Sequence, residues 1–259
     1  MITRLHFGTC PVSDFRALVE SFPTETFASP LRSTVPLLDF WRMPEPRLEE
    51  FSRTIGIERI DSAKLFFEFP VHVRRGRGKP SFTDLLILGE NVAIAVEAKF
   101  TEPPYQDVRS WLGPTPTSNR IAVLEGWLEL VRKVTACRME RADVLNLPYQ
   151  LIHRTASACS LADVRRRIVV YQTFGSATSS HYIEALSTVS NLVGGDSSLA
   201  FRLVTCAFQP SSEWTVLKAR WESRESGLAE PIRRALLRDS LFSFASLTRE
   251  NVWLPPGTA

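Results

Sequence analysis

The sequence predicts an α/β protein, because apolar strand-like runs alternate with amphipathic helical segments along most of the chain. Two apolar runs, 85–88 and 92–96, are separated only by Gly-Glu-Asn and predict a β-hairpin. Further apolar runs at 168–174 and 199–208, with a helical segment between them, extend the same sheet. With 259 residues, the chain is expected to fold as one large domain, 1–259.

An amphipathic helix is predicted ahead of the hairpin. Leu48, Phe51 and Ile55 share one face at helical spacing, and Gly56 ends the pattern. The next segment, 63–73, is rich in apolar and aromatic residues, so it is predicted to be the first strand of the sheet.

Residues 1–45 show no sustained periodicity. Prolines interrupt the segment, so an irregular wrap over the core is expected here rather than a second domain. Within it, 14–21 is predicted to be a short helix, and Ser13 is the expected N-cap.

Helices are predicted after the hairpin, and the sheet is then extended. Pro148 is a favourable first residue for the second of these helices. The expected elements are helices at 121–139 and 148–159, a strand at 168–174, a helix at 182–192, a strand at 199–208, a short strand at 216–221 and a C-terminal helix at 230–244. Residues 175–259 are therefore expected to extend the sheet and add a helix.

Composition narrows the range of functions and locations. The formal net charge of +3 makes the chain mildly basic, which permits but does not require nucleic-acid binding. Its four cysteines are far apart and form no Cys-x-x-Cys pair, which favours a reduced, cytoplasmic protein over a zinc or disulfide framework. No signal-peptide pattern and no apolar run of transmembrane length occurs, so no membrane partner is expected.

Three charged residues interrupt the apolar hairpin. Glu97 and Lys99 point to the same face of the second strand, because side chains alternate along a strand. Asp84 begins the preceding strand, and a short turn places that start opposite the end of its partner. Charged side chains are rarely buried unless they are paired or bind a metal. Two carboxylates and an amine are therefore expected to meet at one end of this hairpin.

Two interpretations of this group are open. In the first, Asp84, Glu97 and the carbonyl oxygen of Ala98 hold a hard cation such as Mg²⁺ or Mn²⁺, and water completes its coordination. Lys99 would then contact the attacking water or the charge that develops on a phosphate. In the second, Lys99 forms an ordinary buried salt bridge with one of the acids.

Thr83-Asp84, the hairpin and Glu97-Ala98-Lys99 together resemble the signature of the PD-(D/E)xK nuclease superfamily, which has the restriction-endonuclease-like fold. Thr83 stands where the motif usually has a proline, which is not a metal ligand. The resemblance covers 46–174. It implies an αβββαβ core with a mixed central sheet flanked by helices, to which N- and C-terminal extensions are added.

The resemblance also implies an activity and a set of residues. The activity is metal-dependent hydrolysis of phosphodiester bonds in DNA or RNA by a metal-activated water. Asp84, Glu97 and Lys99 would be catalytic, and Asp84 and Glu97 would bind Mg²⁺ or Mn²⁺. Tyr149-Gln150 resembles the polar residue that many superfamily members place on the following helix, so Gln150 joins the catalytic set.

A further acid is expected to complete the metal site. Glu68 interrupts the aromatic run of the first strand and is the main candidate, although an exposed or ion-paired strand residue is an equal alternative. Superfamily members often use a glutamate on the first helix, which points to Glu49 or Glu50. For each of these two, a solvated helix face is the simpler explanation.

A basic, glycine-rich loop leads directly into Asp84. Its four cationic residues are predicted to contact a phosphate backbone without reading sequence, and they are Arg74, Arg75, Arg77 and Lys79. A solvated charge run is the usual alternative for such a loop. DNA is the expected nucleic acid, and a homodimer is one expectation because many relatives cut both strands as dimers.

A second class of function remains open. A protein that kept this fold without catalysis would serve as a nucleic-acid-binding or protein-interaction module. The sequence contains no Gly-x-Ser-x-Gly elbow, no phosphate-binding Walker loop and no dinucleotide-binding glycine pattern, so other hydrolase and nucleotide-binding classes find no support.

Overall fold

A computed structural model of the chain describes residues 2–57, 60–161, 163–175, 179–194, 198–250 and 252. Its strands are β1 (Ile2–Phe7), β2 (Cys10–Val12), β3 (Ser62–Val71), β4 (Ser81–Leu88), β5 (Val92–Lys99), β6 (Arg166–Phe174), β7 (Leu199–Cys206), β8 (Phe208–Pro210), β9 (Phe242–Phe244) and β10 (Thr248–Glu250).

The helices fall before and after the central strands. They are α1 (Phe15–Ser21), α2 (Thr34–Phe40), α3 (Pro44–Thr54), α4 (Val108–Leu112), α5 (Ser118–Val134), α6 (Tyr149–Cys159), α7 (Ser179–Leu192), α8 (Ser212–Glu222) and α9 (Ala229–Arg238), with 3₁₀ turns at Thr24–Phe27 and Ala142–Val144. In the part of the chain that the structure describes, no helix combines the length and apolar character needed to cross a bilayer.

Eight strands form one mixed central sheet in the order β10-β7-β6-β5-β4-β3-β1-β2, and β8 and β9 form a small second sheet. Strand β4 is antiparallel to both β3 and β5, whereas β5, β6 and β7 run parallel. The predicted α/β class, mixed sheet and central hairpin are therefore confirmed. From α3 to β6 the order is helix, three strands, helices and strand, as the sequence predicted for 46–174.

Both faces of the sheet are covered by helices, which explains the continuous apolar runs of the hairpin. One face packs against α1, α2, α3, α8 and α9, where Leu48 and Phe51 are fully buried. The other face packs against α4, α5, α6 and α7. Every residue of β5 is buried, as expected for a central strand between two helical layers.

The expectation of an irregular wrap over residues 1–45 is wrong. This segment forms β1, β2, α1 and α2, and β1 pairs in parallel with β3 along the edge of the sheet. The helix predicted at 14–21 exists, but its N-cap is Asp14 rather than Ser13. Asp14 Oδ1 accepts the backbone N–H of Ala17 at 2.8 Å, because the carboxylate reaches the first unpaired amides of the helix.

Two predictions for the C-terminal part are also wrong. Residues 216–221 belong to α8 and not to a strand, because Trp214, Leu217 and Trp221 recur at helical spacing behind Ser211. Ser211 Oγ caps that helix by accepting the N–H of Trp214 at 3.1 Å. The helix predicted over 230–244 ends at Arg238, and β9 follows it.

Candidate active site

Strand pairing brings the acidic residues of the hairpin together. Leu85 lies opposite Val96, so the same register places Asp84 across from Glu97. Asp84 Oδ2 accepts the backbone N–H of Ala98 at 2.7 Å, which fixes this carboxylate against the end of β5. The group that the sequence predicted therefore forms on the sheet face that packs against α6.

Glu97, Lys99 and Gln150 form a closed hydrogen-bonded triangle. Lys99 Nζ lies 3.0 Å from Glu97 Oε1 and donates to Gln150 Oε1 at 2.6 Å. The Nε2 group of Gln150 in turn donates to Glu97 Oε1. The side chains of Glu97 and Lys99 are 2% and 9% exposed, so the triangle is closed to bulk water on most sides.

Arg154 completes the group. Helical spacing predicts only that it lines the same cleft wall as Gln150 and His153, and not that it contacts the acids. It lies one helical turn after Gln150 on α6, so both side chains reach the same strands. Its Nε donates to Glu97 Oε2 at 2.7 Å, and its Nη2 also contacts that oxygen. The same Nη2 lies 3.7 Å from Asp84 Oδ1. Helical spacing placed Arg154 beside Gln150, but only the packing of α6 on the sheet shows that it touches both acids.

Glu68 stands beside this group on β3. Its neighbours Phe67 and Phe69 pair with Leu85 and Thr83, so Glu68 lies opposite Asp84. Its φ of 53° is unusual for a residue with a side chain and interrupts the regular strand at this point. Burial raises the pKa of Glu68; the nearby Glu97 carboxylate adds to the rise, while the charge of Arg154 opposes it. The structure thus brings Glu68 near the cluster, as expected if it is the further acid of the site and not an exposed strand residue.

The acids of the site differ in how easily they carry charge. Burial and the neighbouring Glu97 raise the pKa of Asp84 well above its ordinary value. Burial also opposes ionisation of Glu97, but the charges of Arg154 and Lys99 outweigh it and lower the pKa of Glu97. Burial acts against the Lys99 ammonium as well, yet Glu97 and Asp84 raise its pKa, so Lys99 stays charged. Asp84 and Glu68 are therefore the groups that an additional cation would stabilise as anions.

The donor set fits a hard divalent cation held by few protein ligands. Among the described residues no group of three His, Cys, Asp or Glu side chains is arranged to hold a metal ion. Mg²⁺ commonly uses only one or two carboxylates and takes its remaining oxygens from water and substrate phosphates. Asp84 and Glu97 could supply those carboxylates for Mg²⁺ or Mn²⁺. Ala98 contributes its N–H to Asp84 in this structure.

The two glutamates of α3 lie away from the site, so neither completes it. Glu50 Oε1 accepts the backbone N–H of Leu247 at 3.0 Å, and Glu50 also pairs with Arg47. Glu49 pairs with Arg53 on an exposed face of the same helix. These contacts stabilise α3 and attach it to the C-terminal segment.

Two further side chains border the site: Tyr171, for which the sequence indicated no role, and His153, which helical spacing predicts on the same cleft wall as Gln150, with an ordinary surface histidine as the alternative. Tyr171 lies beside Glu97 in the β5–β6 register, and its buried hydroxyl has no hydrogen-bond partner within the described structure. His153 Nδ1 lies 2.8 Å from Ser81 Oγ, at the start of β4. Burial and the charge of Arg154 lower the pKa of His153 to about 3, so this imidazole is neutral at physiological pH.

The basic loop lies exposed at the end of the sheet where β4 begins. Asn119 anchors it to α5, because its side chain accepts the N–H of Arg77 at 2.7 Å and donates to the Arg77 carbonyl at 2.9 Å. Arg75 forms an ion pair with Glu129 at 2.8 Å. All four basic side chains proposed for the loop, Arg74, Arg75, Arg77 and Lys79, belong to exposed residues.

Two exposed aromatic residues flank the same region. Phe82 is 47% exposed and lies two residues before Asp84, on the same face of β4. Tyr105 is 45% exposed, and its ring centroid lies 6.4 Å from that of Tyr149, the neighbour of Gln150. The site therefore lies among basic and aromatic residues that solvent can reach.

Comparison with known proteins identifies a family. Residues 11–209 match the family described as "Domain of unknown function (DUF6946)", and this match includes the hairpin, α6 and every residue of the site described above. The same comparisons found no match among curated proteins and none among solved structures. Because the matched region covers more than half of the 259 residues, the chain belongs to the DUF6946 family.

Proposed function

We propose that this protein is a metal-dependent nuclease that hydrolyses phosphodiester bonds of DNA or RNA. One observation carries the proposal: Asp84, Glu97 and Lys99 meet at the end of the central hairpin, and Gln150 bonds to both Glu97 and Lys99. A structural salt bridge would need only one acid and one base. The additional carboxylate and amide fit a site that binds a cation and a phosphate.

The order of elements supports membership of the PD-(D/E)xK superfamily with its restriction-endonuclease-like fold. An Asp lies in the first half of the middle strand, Glu-x-Lys ends the next, and a helix carrying Gln150 packs on both. This is the αβββαβ arrangement that the sequence resemblance implied for 46–174. The resemblance and the geometry are separate grounds, because the first uses motif spacing and the second uses side-chain contacts.

The cation proposed for this site is Mg²⁺, with Mn²⁺ as a substitute, and Asp84 and Glu97 are its protein ligands. Glu68, opposite Asp84 on β3, is proposed to act through a water. When bound, such a cation stabilises negative charge on phosphoryl oxygens and eases deprotonation of the attacking water.

Lys99 and Gln150 are proposed to act on the reacting atoms and on the geometry of the site. Hydrolysis forms a bond between a water oxygen and phosphorus and breaks the bond between phosphorus and the leaving sugar oxygen. Lys99 remains protonated beside Glu97, so its ammonium can donate to the nucleophile or to a phosphoryl oxygen. Gln150 fixes Lys99 and Glu97 relative to each other through one amide group.

The surroundings of the site support a nucleic acid as substrate, with DNA as the first expectation. The exposed residues Arg74, Arg77 and Lys79 can neutralise backbone phosphates. The exposed rings of Phe82 and Tyr105 can stack on bases. The spacing of the cysteines favours a cytoplasmic location. A homodimer would allow both strands of a duplex to be cut.

A second candidate function is favoured by the position of Arg154. A guanidinium that contacts both acids neutralises part of the charge that a metal would otherwise balance. A protein in which this arrangement is permanent would bind nucleic acid or protein partners without cleaving anything. The two functions differ in whether a divalent cation can enter.

A cleavage panel tests the proposed function. Labelled DNA and RNA, each single- and double-stranded, are incubated with wild type, Asp84→Ala and Lys99→Ala in the presence of Mg²⁺ or Mn²⁺, and products are separated by electrophoresis. We expect Asp84→Ala to lose both cleavage and metal binding. We expect Lys99→Ala to lose about 10²–10³-fold in cleavage while it retains metal binding, because the ammonium that contacts the reacting atoms is removed while the carboxylates of Asp84 and Glu97 remain.

Cleavage by wild type that persists unchanged in Asp84→Ala would come from a contaminant or another site. Absence of cleavage in all combinations, together with nucleic-acid binding that needs no metal, would establish the non-catalytic function instead.

A further inference from the structure

Arg154 lies between the two carboxylates proposed as metal ligands. Its Nη2 contacts Glu97 Oε2 and lies 3.7 Å from Asp84 Oδ1. The residue is 1% exposed, so the protein rather than bulk water surrounds this guanidinium. A cation bound through those same two oxygens would occupy the place that Nη2 now takes.

A divalent ion and this guanidinium could not share the position. Both are positive, they would lie within a few ångströms of each other, and a buried environment screens their repulsion weakly. Lys99, the other cation of the site, does not occupy this position, because it contacts the other oxygen of Glu97, Oε1. The two oxygens of Glu97 therefore have different partners. Oε1 contacts Lys99 and Gln150, whereas Oε2 contacts Arg154.

One hydrogen-bond donor of Arg154 is also unsatisfied. Its Nη2 donates to the Phe82 carbonyl at 3.0 Å, but its Nη1 is buried and has no hydrogen-bond partner within the described structure. A buried arginine with a purely structural role normally has its donors satisfied. An unsatisfied donor reduces the stability of this arrangement and therefore the cost of leaving it.

We propose that Arg154 is a resident counter-cation of the metal-free site, which a divalent ion displaces from Asp84 and Glu97 when it binds. This inference rests on the proposed function, because it concerns the same metal site. Its consequence is that Arg154 lowers the metal affinity of the protein and keeps the two acids neutralised until metal arrives.

Metal binding by Arg154→Met tests this directly. Methionine keeps an unbranched side chain of similar reach without the charge, and titration calorimetry with Mn²⁺ measures affinity without any substrate. We expect Arg154→Met to bind Mn²⁺ about tenfold more tightly than wild type, or more, within the usual range of coupling between linked binding events. We also expect a lower melting temperature without metal and a larger rise on adding Mn²⁺.

Arg42→Met is the matched control. Arg42 forms another guanidinium–carboxylate pair with a buried acid, Asp39, at 3.0 Å, on the part of the fold where α2 meets the C-terminal segment. Its loss should lower the melting temperature in the same way, with Mn²⁺ affinity unchanged. Equal or weaker Mn²⁺ binding by Arg154→Met than by wild type would overturn the proposal.

A measurement on wild type keeps the proposal testable if Arg154→Met does not fold. In protein labelled with ¹⁵N-arginine, the buried Nε–H of Arg154 should exchange slowly with water because it donates to Glu97. We expect its exchange to accelerate, and its chemical shift to change, in step with Mg²⁺ saturation.

The outcomes separate the inference from the proposed function. If wild type binds metal at a site that depends on Asp84 while the Arg154 signal stays unchanged, the displacement is refuted and the nuclease proposal stands. If neither wild type nor Arg154→Met binds metal, the metal site itself is refuted and both proposals fail together.

Discussion

His153 makes the stability of this protein depend on pH in a way that one substitution can isolate. The ring lies against Tyr149, with centroids 5.2 Å apart, and its Nδ1 is 2.8 Å from Ser81 Oγ. Burial, and then the charge of Arg154, lower its pKa from the ordinary 6.5 to about 3. The folded protein therefore holds this imidazole neutral, whereas the unfolded chain protonates it below pH 6.5.

The sign and size of the effect follow from this difference. As pH falls from 6.5 towards 3, the unfolded state gains a proton that the folded state does not, so the free energy of unfolding decreases. Between about pH 7.5 and about pH 5, full linkage gives a loss of about 2 kcal/mol. Because the residue keeps some solvent exposure, we expect about 1–2 kcal/mol from His153.

The assay is urea unfolding followed by far-ultraviolet circular dichroism at both pH values, for wild type and His153→Gln. Buried carboxyls with raised pKa, such as Asp84 and Asp39, titrate in both proteins, so they cancel in the comparison. We expect wild type to lose about 1–2 kcal/mol more than His153→Gln on acidification. The exposed histidine His72 provides the control, and His72→Gln should follow wild type. Identical acid sensitivity of wild type and His153→Gln would refute the reasoning.

Three further predictions concern other parts of the fold. Asp39→Ala should destabilise the protein by about 3–5 kcal/mol, because Arg42 and the backbone amides that donate to the buried carboxylate lose their acceptor. Urea unfolding at neutral pH measures this loss. Gly126→Ala should cost about 1–3 kcal/mol of stability, since the new Cβ would lie 2.5 Å from Val73 Cγ2 and 2.9 Å from the backbone nitrogen of Arg75. The same unfolding assay measures this cost. Replacing Arg77 and Lys79 together by Gln should reduce the salt dependence of duplex DNA binding, measured by fluorescence anisotropy, by about two units of logarithmic slope.

Each of these three has its own check. Asp39→Asn keeps the shape and should be milder than Asp39→Ala, so equal losses would mean that the charge, not the hydrogen bonding, matters. Gly78→Ala adds the same methyl group within the basic loop itself, where nothing lies within 4 Å, and should leave stability unchanged. An unaltered salt slope after the double substitution would show that Arg77 and Lys79 do not contact DNA phosphates.

Local sequence patterns were sufficient to predict the centre of this fold. The apolar runs on either side of Gly-Glu-Asn defined the hairpin, and strand alternation placed Glu97 and Lys99 on one face opposite Asp84. These inferences succeed because a short turn leaves little freedom in how two adjacent strands pair. Glu68, one strand away, is a candidate on other grounds, because it interrupts the aromatic run of β3.

Predictions that needed long-range information failed. Strand β1 has no regular alternation of apolar residues and its partner β3 lies about sixty residues further along, so nothing local indicates that pairing. Arg154 shows the same limit at the site, because a helical pattern gives the face of a helix and not its distance from the sheet. The failure at α8 is local instead, because the apolar content of 216–221 suggests a strand although the spacing of Trp214, Leu217 and Trp221 is helical.

The parallel pairing of β1 with β3 has a practical consequence for anyone who shortens this protein. Trimming the chain to 46–174 would keep every proposed catalytic side chain but would remove β7 from β6 and β1 from β3. On the β3 side, the backbone amides and the rings of Phe66 and Phe67 would be uncovered. Such an open border recruits other chains, so the fragment should precipitate or polymerise rather than behave as a minimal enzyme. The first dozen residues therefore protect the protein from self-association by covering the edge of β3. They supply no proposed catalytic side chain, although they belong to the same sheet.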